Sequence, residues 1–572
     1  MSTASVGDPS SANKGFQQRL GLFDATMLVA GTMIGSGIFI VSADIARDVG
    51  SSGWLLLVWA LTGIITIIGG LSYAELAAMM PRAGGQYVYL REAYGPLWGF
   101  LYGWTSFLVI QTGTIAAVAV AFAKFLGVLV PRLGTSGEDA ILGQVKDLNI
   151  NIKIPVPWMD EPLTFFKRED FTIYNGQLVA VVLVMFLTIL NSRGIREGKW
   201  VQNIFTVAKT FALIALIVVG LTVAYNSAAV ERNFSHVWDG ITGTAQFHEV
   251  SKFMPWAPLA IVMVVCGAMV GSLFSADAWH NVTFTAGEVR NPKRNLPRSL
   301  VLGTGLVIVL YLLANCAYLA ALPLKADTKP LMLEQFPNAR GLSVKESFDF
   351  YDNFIGVMEL AAKNQGSKKA QEQVADLRSQ VAFSRGIEHV RDDRVGTAVM
   401  ERVSPEFGVP LMAIAIMIST FGCVNGLVLM GPRLYYAMAR DGVFFQAAGQ
   451  LSSRNVPALG LLLQAFWSVL LIFSGSYSEL LDYVIFAALF FYMLTVGGLF
   501  VLRWKMPNAE RPYRAIGYPV LPALYVFLCA VIMLALLFVK PIYSWPSFLI
   551  VLSGIPVYFL WRRTRAPAQQ GD

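Results

Sequence analysis

The sequence predicts an all-α polytopic membrane protein with about twelve transmembrane helices. Three observations predict it. The 572 residues are 55% hydrophobic and 14% charged, with mean hydropathy +0.56, whereas soluble domains carry about 25% charged residues. The apolar residues gather into long runs, and a helix needs roughly 20 of them to cross hydrocarbon with its backbone paired internally. Basic residues fall on alternate connections. The net charge of +7 therefore reads as basic cytoplasmic loops, and no nucleic-acid partner is expected.

The runs lie near 22–49, 54–80, 97–130, 172–191 and 200–225, then near 256–287, 299–322, 408–438, 457–475 and 480–502. The last two are near 518–539 and 545–562. Residues 1–20 are polar and contain no cleavable leader pattern, so the first run is expected to serve as its own insertion signal. With the N-terminus inside, the inner connections carry Arg82 and Arg91, then Arg193, Arg196 and Lys199, then Arg290, Lys293, Arg294 and Arg298. Arg433 and Arg440 follow, then Arg503, Lys505, Arg511 and Arg514. An even number of crossings places both termini in the cytoplasm of an integral cell membrane protein, in an inner or plasma membrane. The two long loops, about 132–171 and 323–405, then face outward. In the second, Lys368 to Arg378 alternates charges as an exposed helix does. It reads as a solvated helix packed on its own protein, or as a surface for a partner. The expected division is a cytoplasmic tail (1–20), a transporter core (21–502), two additional helices (503–563) and a second tail (564–572).

Cys266, Cys316, Cys423 and Cys529 all sit within apolar runs, without metal-ligand spacing. They read as small core residues. No cofactor or metal is expected.

The first run contains Gly31-Thr32-Met33-Ile34-Gly35-Ser36-Gly37-Ile38-Phe39. Each glycine weakens a helix by about 1 kcal/mol relative to alanine, and irregular backbone at membrane depth survives only in protein or beside a cavity. Unwinding at Gly35, Ser36 and Gly37 would start a second half-helix whose positive pole attracts a carboxylate. The alternative is a close packing seam. The sixth run holds a second interruption, Gly271-Ser272-Leu273-Phe274-Ser275-Ala276-Asp277-Ala278-Trp279-His280-Asn281. A carboxylate there costs about 2.5–3.5 kcal/mol on insertion scales, so Asp277 faces a cavity or a partner. Interrupted helices at matching positions in two halves mark the binding site of secondary transporters. The two interruptions stand five runs apart, as an inverted five-plus-five repeat requires.

The first-helix stretch resembles the signature of the amino acid–polyamine–organocation superfamily, particularly its L-type amino acid transporter branch. Further likenesses follow in order: Tyr73-Ala74-Glu75-Leu76 with Pro81 to Tyr87, Asn191-Ser192-Arg193-Gly194 leading to Lys209, Gly287 to Pro297, and Phe421 to Gly426 followed by Arg433. The resemblance covers about residues 16 to 565 apart from the two long loops. It implies the LeuT-type fold, alternating access, and an amino acid site between the first, third, sixth, eighth and tenth helices. By position, Ser36 and Gly37, next to Gly35 in the substrate site, would hold the substrate carboxylate with backbone N–H groups. Carbonyls of Met33, Phe274, Ser275 and Ala276 would receive its ammonium group, and the Phe274 ring would close the site from outside. Ile110, Gln111 and Thr114 in the third helix, with Phe491 and Tyr492 in the tenth, would line the side-chain pocket.

Lys209 lies ten residues past the expected cytoplasmic end of the fifth run, about 15 Å deep at 1.5 Å per residue. That depth opposes snorkelling. In sodium-independent members of the family a matching lysine takes the place of a sodium ion, which assigns Lys209 a coupling role. Asp277 is the second coupling candidate: it carries a proton, pairs with Lys209, or serves as a structural acceptor. Many relatives have an aromatic, a glycine and an asparagine where Ala276, Ala278 and His280 stand. His280 titrates near neutral pH if unperturbed, or is a hydrogen-bonded structural residue. Relatives in mammals pair through a cysteine between the third and fourth helices. The chain has none there, so no disulfide-linked heavy subunit is expected.

The expected function is sodium-independent amino acid transport, of neutral L-amino acids, as an exchanger or with proton coupling. The partners would be substrate and bilayer. Alternatives are a membrane sensor that binds amino acids without net transport, and a carrier of polyamines or cationic amino acids. An enzyme is not expected, because nucleophile, paired-acid and phosphate-loop patterns are missing.

Overall fold

Long apolar helices in hydrocarbon keep their backbones paired within the segment and pack through small residues. The computed structural model follows that rule over residues 16–136, 138–145, 150–154, 163–168, 171–327, 343–365, 367–474 and 477–563. Most of the expected N-terminal tail, the tail at 564–572 and parts of both long loops lie outside the described residues. Ten described helices are long and apolar enough to cross a membrane, and Leu22–Met33 and Ala458–Ser474 are shorter apolar helices. Together they occupy the twelve places read from the sequence.

The first segment is broken. Helix Leu22–Met33 stops at Ile34, a single 3-10 turn covers Gly37–Phe39, and helix Val41–Val49 completes it before Gly50 turns the chain in the left-handed region. The second segment, Ser52–Met79, is continuous. The third runs through Pro96–Thr105, a π-helical turn at Ser106–Ile110, and Gln111–Leu129. Asn175–Ser192 and Ile195–Leu221 form the fourth and fifth. The sixth ends its α-helix Ala257–Ser275 at Ala276 and resumes as a 3-10 helix over Trp279–Glu288. Pro292–Ala321, Gly408–Arg440, Ala458–Ser474 and Tyr477–Lys505 are the seventh to tenth. Val520–Val539 and Pro541–Arg563 are the last two.

Burial orders these helices. The third segment is enclosed along nearly its whole length, whereas the eleventh and twelfth keep most of their surface outward. The seventh packs along the second and the first, and the eighth along the third and fifth. The broken segments thus lie inside a cage of intact ones.

The long loops hold more structure than their mixed charge suggested. In the first, Ile141–Val145 pairs antiparallel with Phe171–Tyr174, and Ile150–Ile154 with Leu163–Arg168. In the second, the expected helix is present as Lys368–Arg385. It packs on Val344–Gln365, a helix the sequence reading did not anticipate, through a small separate core that includes Phe348, Tyr351, Val374 and Val381. Arg378 joins Glu359 and Glu401 in ion pairs of 3.0 and 2.7 Å. The reading of a helix seated on its own protein therefore describes this stretch.

Candidate functional site

The two breaks meet. A Cβ built on Gly37 would stand 2.1 Å from Ser275 Oγ and 3.0 Å from Ser275 Cα, so the absence of a side chain there lets the two backbones touch. In the first segment Ile34 N–H closes the inner half-helix on Ala30. The outer half opens with Phe39 N–H to Ser36 O and Ile40 N–H to Gly37 O, each 3.0 Å. The amides of Ser36, Gly37 and Ile38 precede those bonds, and therefore form the positive pole of the outer half. In the sixth segment Ala276 N–H closes on Ser272 O and Asp277 N–H on Phe274 O. Ala278 then takes φ +65, a left-handed conformation that costs a non-glycine residue about 1–2 kcal/mol.

Three side chains tie the breaks to each other and to the cage. The Tyr311 hydroxyl on the seventh helix lies 2.9 Å from Met33 O and 3.1 Å from Ser275 O, one group serving both broken ends. Thr32 Oγ1 reaches Ala278 O at 3.2 Å. Ser419 Oγ on the eighth helix donates toward Ile34 O and Gly35 O at 3.2 and 3.0 Å. None of Tyr311, Thr32 and Ser419 was singled out from the sequence. A tyrosine in an apolar run reads as core, and serine or threonine in a helix reads as bonded to its own backbone.

Lys209 is fully buried. Its Nζ donates to Gly31 O, to Ile34 O at 2.7 Å and to Ser419 O at 3.2 Å. A cation thus sits on the unwound end of the inner half-helix, where the dipole is negative and carbonyls lack helical partners. Cys423, expected to be a plain core residue, also directs its Sγ to Thr32 O at 3.1 Å.

Asp277 does not join Lys209 among its hydrogen-bond partners. It accepts from the Tyr492 hydroxyl on the tenth helix. That hydroxyl lies 2.9 Å from His280 Nδ1, and His280 Nε2 is 3.4 Å from the Tyr102 hydroxyl on the third helix. Of the alternatives open for Asp277, pairing with Lys209 is therefore not the arrangement found. His280 is a buried, hydrogen-bonded residue, with Tyr73 and Trp279 edge-on beside it.

The remaining candidates are all buried: Gly35, Ser36, Phe274, Ile110, Gln111, Thr114 and Phe491. Gln111 binds Leu427 O at 3.0 Å and accepts from Asn281 at 3.3 Å, joining the third, eighth and sixth segments. Thr114 Oγ1 turns back to Ile110 O at 2.6 Å. Phe491 packs edge-on against Tyr102, ring centres 5.3 Å apart. The π turn beside Ile110 distorts the third helix opposite the breaks, a feature often found at functional sites. Among the described residues no three His, Cys, Asp or Glu side chains cluster as metal ligands.

At the end opposite the long loops the segments are locked by ion pairs. Arg433 meets Glu288 at 3.2 Å, both buried. Arg503 and Arg511 converge on Glu75, and Asn191 binds Asn425 at 3.0 Å. The chain before the first helix adds to this end: Arg19 and Leu20 N–H groups reach Glu288 O at 2.9 Å each, and Arg290 N–H reaches Leu20 O at 2.8 Å.

Broken first and sixth helices that meet inside a helical bundle are the arrangement that marks a binding site in the class of secondary transporters of small solutes. The family comparison agrees and is more particular. The amino acid permease profile matches residues 20–332 and 379–560, and the chain belongs to that family. The match runs through the first long loop and omits 333–378, in the second. Among curated relatives, the chain is 27% identical to the b(0,+)-type amino acid transporter 1 of Mus musculus over 553 residues, 95% of this chain and 88% of that protein. It is 26% identical to the large neutral amino acids transporter small subunit 2 of Mus musculus over 561 residues, 98% and 84% of the two chains. The Homo sapiens protein of that name is 26% identical over 545 residues, 95% and 80%. These relatives are transporters rather than enzymes.

Proposed function

We propose that this amino acid permease is a sodium-independent secondary transporter of neutral L-amino acids. It works by alternating access around a LeuT-type core of ten helices in two inverted repeats, within residues 21–502, with two helices added in 503–563. The observation that carries the reading is Lys209, whose ammonium group holds the carbonyls of Gly31, Ile34 and Ser419 at the first break. A fixed cation at that spot does the electrostatic work a bound sodium ion would do.

The substrate carboxylate meets the amides of Ser36 and Gly37 at the positive pole, beside Gly35, and its ammonium group meets the carbonyls of Met33, Phe274, Ser275 and Ala276. Phe274 closes the site from outside. Ile110, Gln111, Thr114, Phe491 and Tyr492 shape the space for the side chain. Asp277 and Lys209, the charges nearest the breaks, are both engaged by protein groups, which favours a neutral substrate side chain over a charged one. Binding then tilts a two-state equilibrium by its difference in affinity for the two states. Both termini lie in the cytoplasm. The relatives named small subunits belong to transporters of more than one chain. The connection between the third and fourth helices carries no cysteine, so a heavy subunit joined by a disulfide there is not part of this reading.

Uptake of a mixture of radiolabelled L-amino acids into proteoliposomes in sodium-free buffer tests the proposal. Saturable uptake, unchanged by added sodium and competed best by neutral amino acids, is expected. Saturable binding without flux, in empty or preloaded vesicles, would instead make the protein a sensor.

A further inference from the structure

The seventh helix, Pro292–Ala321, turns one face outward along its length. Val301, Leu302, Leu306, Val309 and Leu313 are exposed on it. Between them Gly305 leaves a notch, where an added Cβ would meet nothing within 4 Å. Neighbouring helices flank the face without covering it: Gly63 and Gly70 of the second segment lie against Ile308 and Thr304, and Gly220 of the fifth against Ala317. Residues four apart share a helix face, so Arg294 and Arg298 head the same stripe as Leu302, at the end away from the long loops. From Val301 to Val309 the stripe is about 12 Å long at 1.5 Å per residue. That fits within the half-thickness of about 15 Å that one leaflet of hydrocarbon supplies.

Both arginines are exposed and, among the described residues, have no hydrogen-bond or ion-pair partner. Their placement is unfavourable. Like charges four apart on a helix repel, and Arg294 stands in the first turn, where the helix dipole is already positive. Other bases at this end are neutralised by the chain itself. Lys293, next to Arg294, pairs with Glu510 at 2.6 Å, Arg433 with Glu288, and Arg503 with Glu75.

We propose that this stripe seats an anionic phospholipid, with its phosphate on Arg294 and Arg298 and an acyl chain along Val301, Leu302 and Val309 over the notch at Gly305. Such a lipid matches both halves of the surface, an anion against the two guanidinium groups and hydrocarbon against the apolar stripe. A soluble phosphate matches only the first half, and a zwitterionic lipid brings a cation of its own to the arginines. The inference goes beyond the transport reading and needs only that the seventh helix spans a bilayer. The opposite face of the same helix supports the first break: a Cβ on Gly303 would stand 2.5 Å from Val29 of the inner half-helix. A lipid on the stripe therefore braces the wall on which that half-helix rests.

Native mass spectrometry tests it on the full-length protein, freed of lipid in a neutral detergent. The protein is titrated with phosphatidylglycerol or with phosphatidylcholine of the same acyl chains. Phosphatidylglycerol should bind about 30-fold more tightly, as two arginines near an anionic headgroup allow, and should raise the melting temperature. R294Q with R298Q should erase that preference, and R294K with R298K should keep most of it. R454Q with R514Q, which removes two other exposed bases, should leave it intact. G305L, which fills the notch, should weaken phosphatidylglycerol binding with both arginines in place. Thermal unfolding without added lipid identifies any variant that has not folded. Equal affinity of the wild type for the two lipids overturns the proposal whatever the variants do. A loss in R454Q with R514Q as large as in R294Q with R298Q overturns it in favour of a diffuse positive field. Stabilisation by inorganic phosphate equal to that by phosphatidylglycerol overturns it in favour of a soluble anion.

Discussion

Lys209 joins the Gly31 and Ile34 carbonyls at the end of the inner half-helix to the Ser419 carbonyl on the eighth helix. K209M keeps the length of the side chain and removes the charge. It leaves Gly31 O without the lysine donor, at about 1–3 kcal/mol when it remains buried, while Ile34 O keeps the Ser419 hydroxyl. We expect a lowered melting temperature together with loss of amino acid uptake, measured by fluorimetry and in proteoliposomes. The glycines nearby divide by what faces them. G37A drives a Cβ to 2.1 Å from Ser275 Oγ and 2.8 Å from its Cβ, whereas G35A meets nothing nearer than Cys423 Sγ at 3.2 Å. G37A should abolish uptake and G35A should reduce it mildly. S275A added to G37A should not rescue it, because the Cβ and Cα of residue 275 remain in the way. At Ala278, with φ +65, A278G should raise stability by about 1 kcal/mol, read as a higher melting temperature.

Among elements, the lock between the sixth and eighth segments offers a sharper test than any single contact. Arg433 and Glu288 are buried together. Removing one partner of such a pair costs about 3–5 kcal/mol, while replacing both by apolar residues of similar volume is close to neutral. R433A should therefore unfold at a markedly lower temperature, and R433M with E288L should recover most of the loss. Element boundaries also show what the sequence could disclose. The first break was legible because three glycines and a serine violate helix propensity within seven positions. The sixth was legible because Asp277 and His280 violate the polarity of their surroundings. Tyr311 violated neither and so stayed hidden, although it joins both breaks. Tyr492 was named only as a pocket residue, since its bond to Asp277 spans 215 positions that no local pattern connects. The strands at 141–174 and the helix Val344–Gln365 went unread because mixed charge is equally compatible with a solvated helix, a hairpin and a loop.

At the scale of the molecule, the outer half of the first segment is fastened to the second long loop. Arg47 donates to Glu388 O at 2.7 Å and to Asp393 at 2.8 Å, and Gly396 faces Phe39. Arg47 is about one-third exposed, so the pair contributes modestly to stability but sets where the loop sits. R47A should speed amide hydrogen exchange across 387–399 and leave 344–365, which has its own core, unchanged. Sequence reading set these segments in the second long loop, yet gave them no contact with the first helix.

The ammonium group of Lys209 is bound to the chain by covalent bonds. A gradient does work only on what crosses the membrane, and this cation never does. It can hold the first break in shape through every cycle, but it releases no free energy by being carried. Any concentration of solute that the protein achieves must be drawn from a species able to leave, whether a second amino acid moving the other way or a proton.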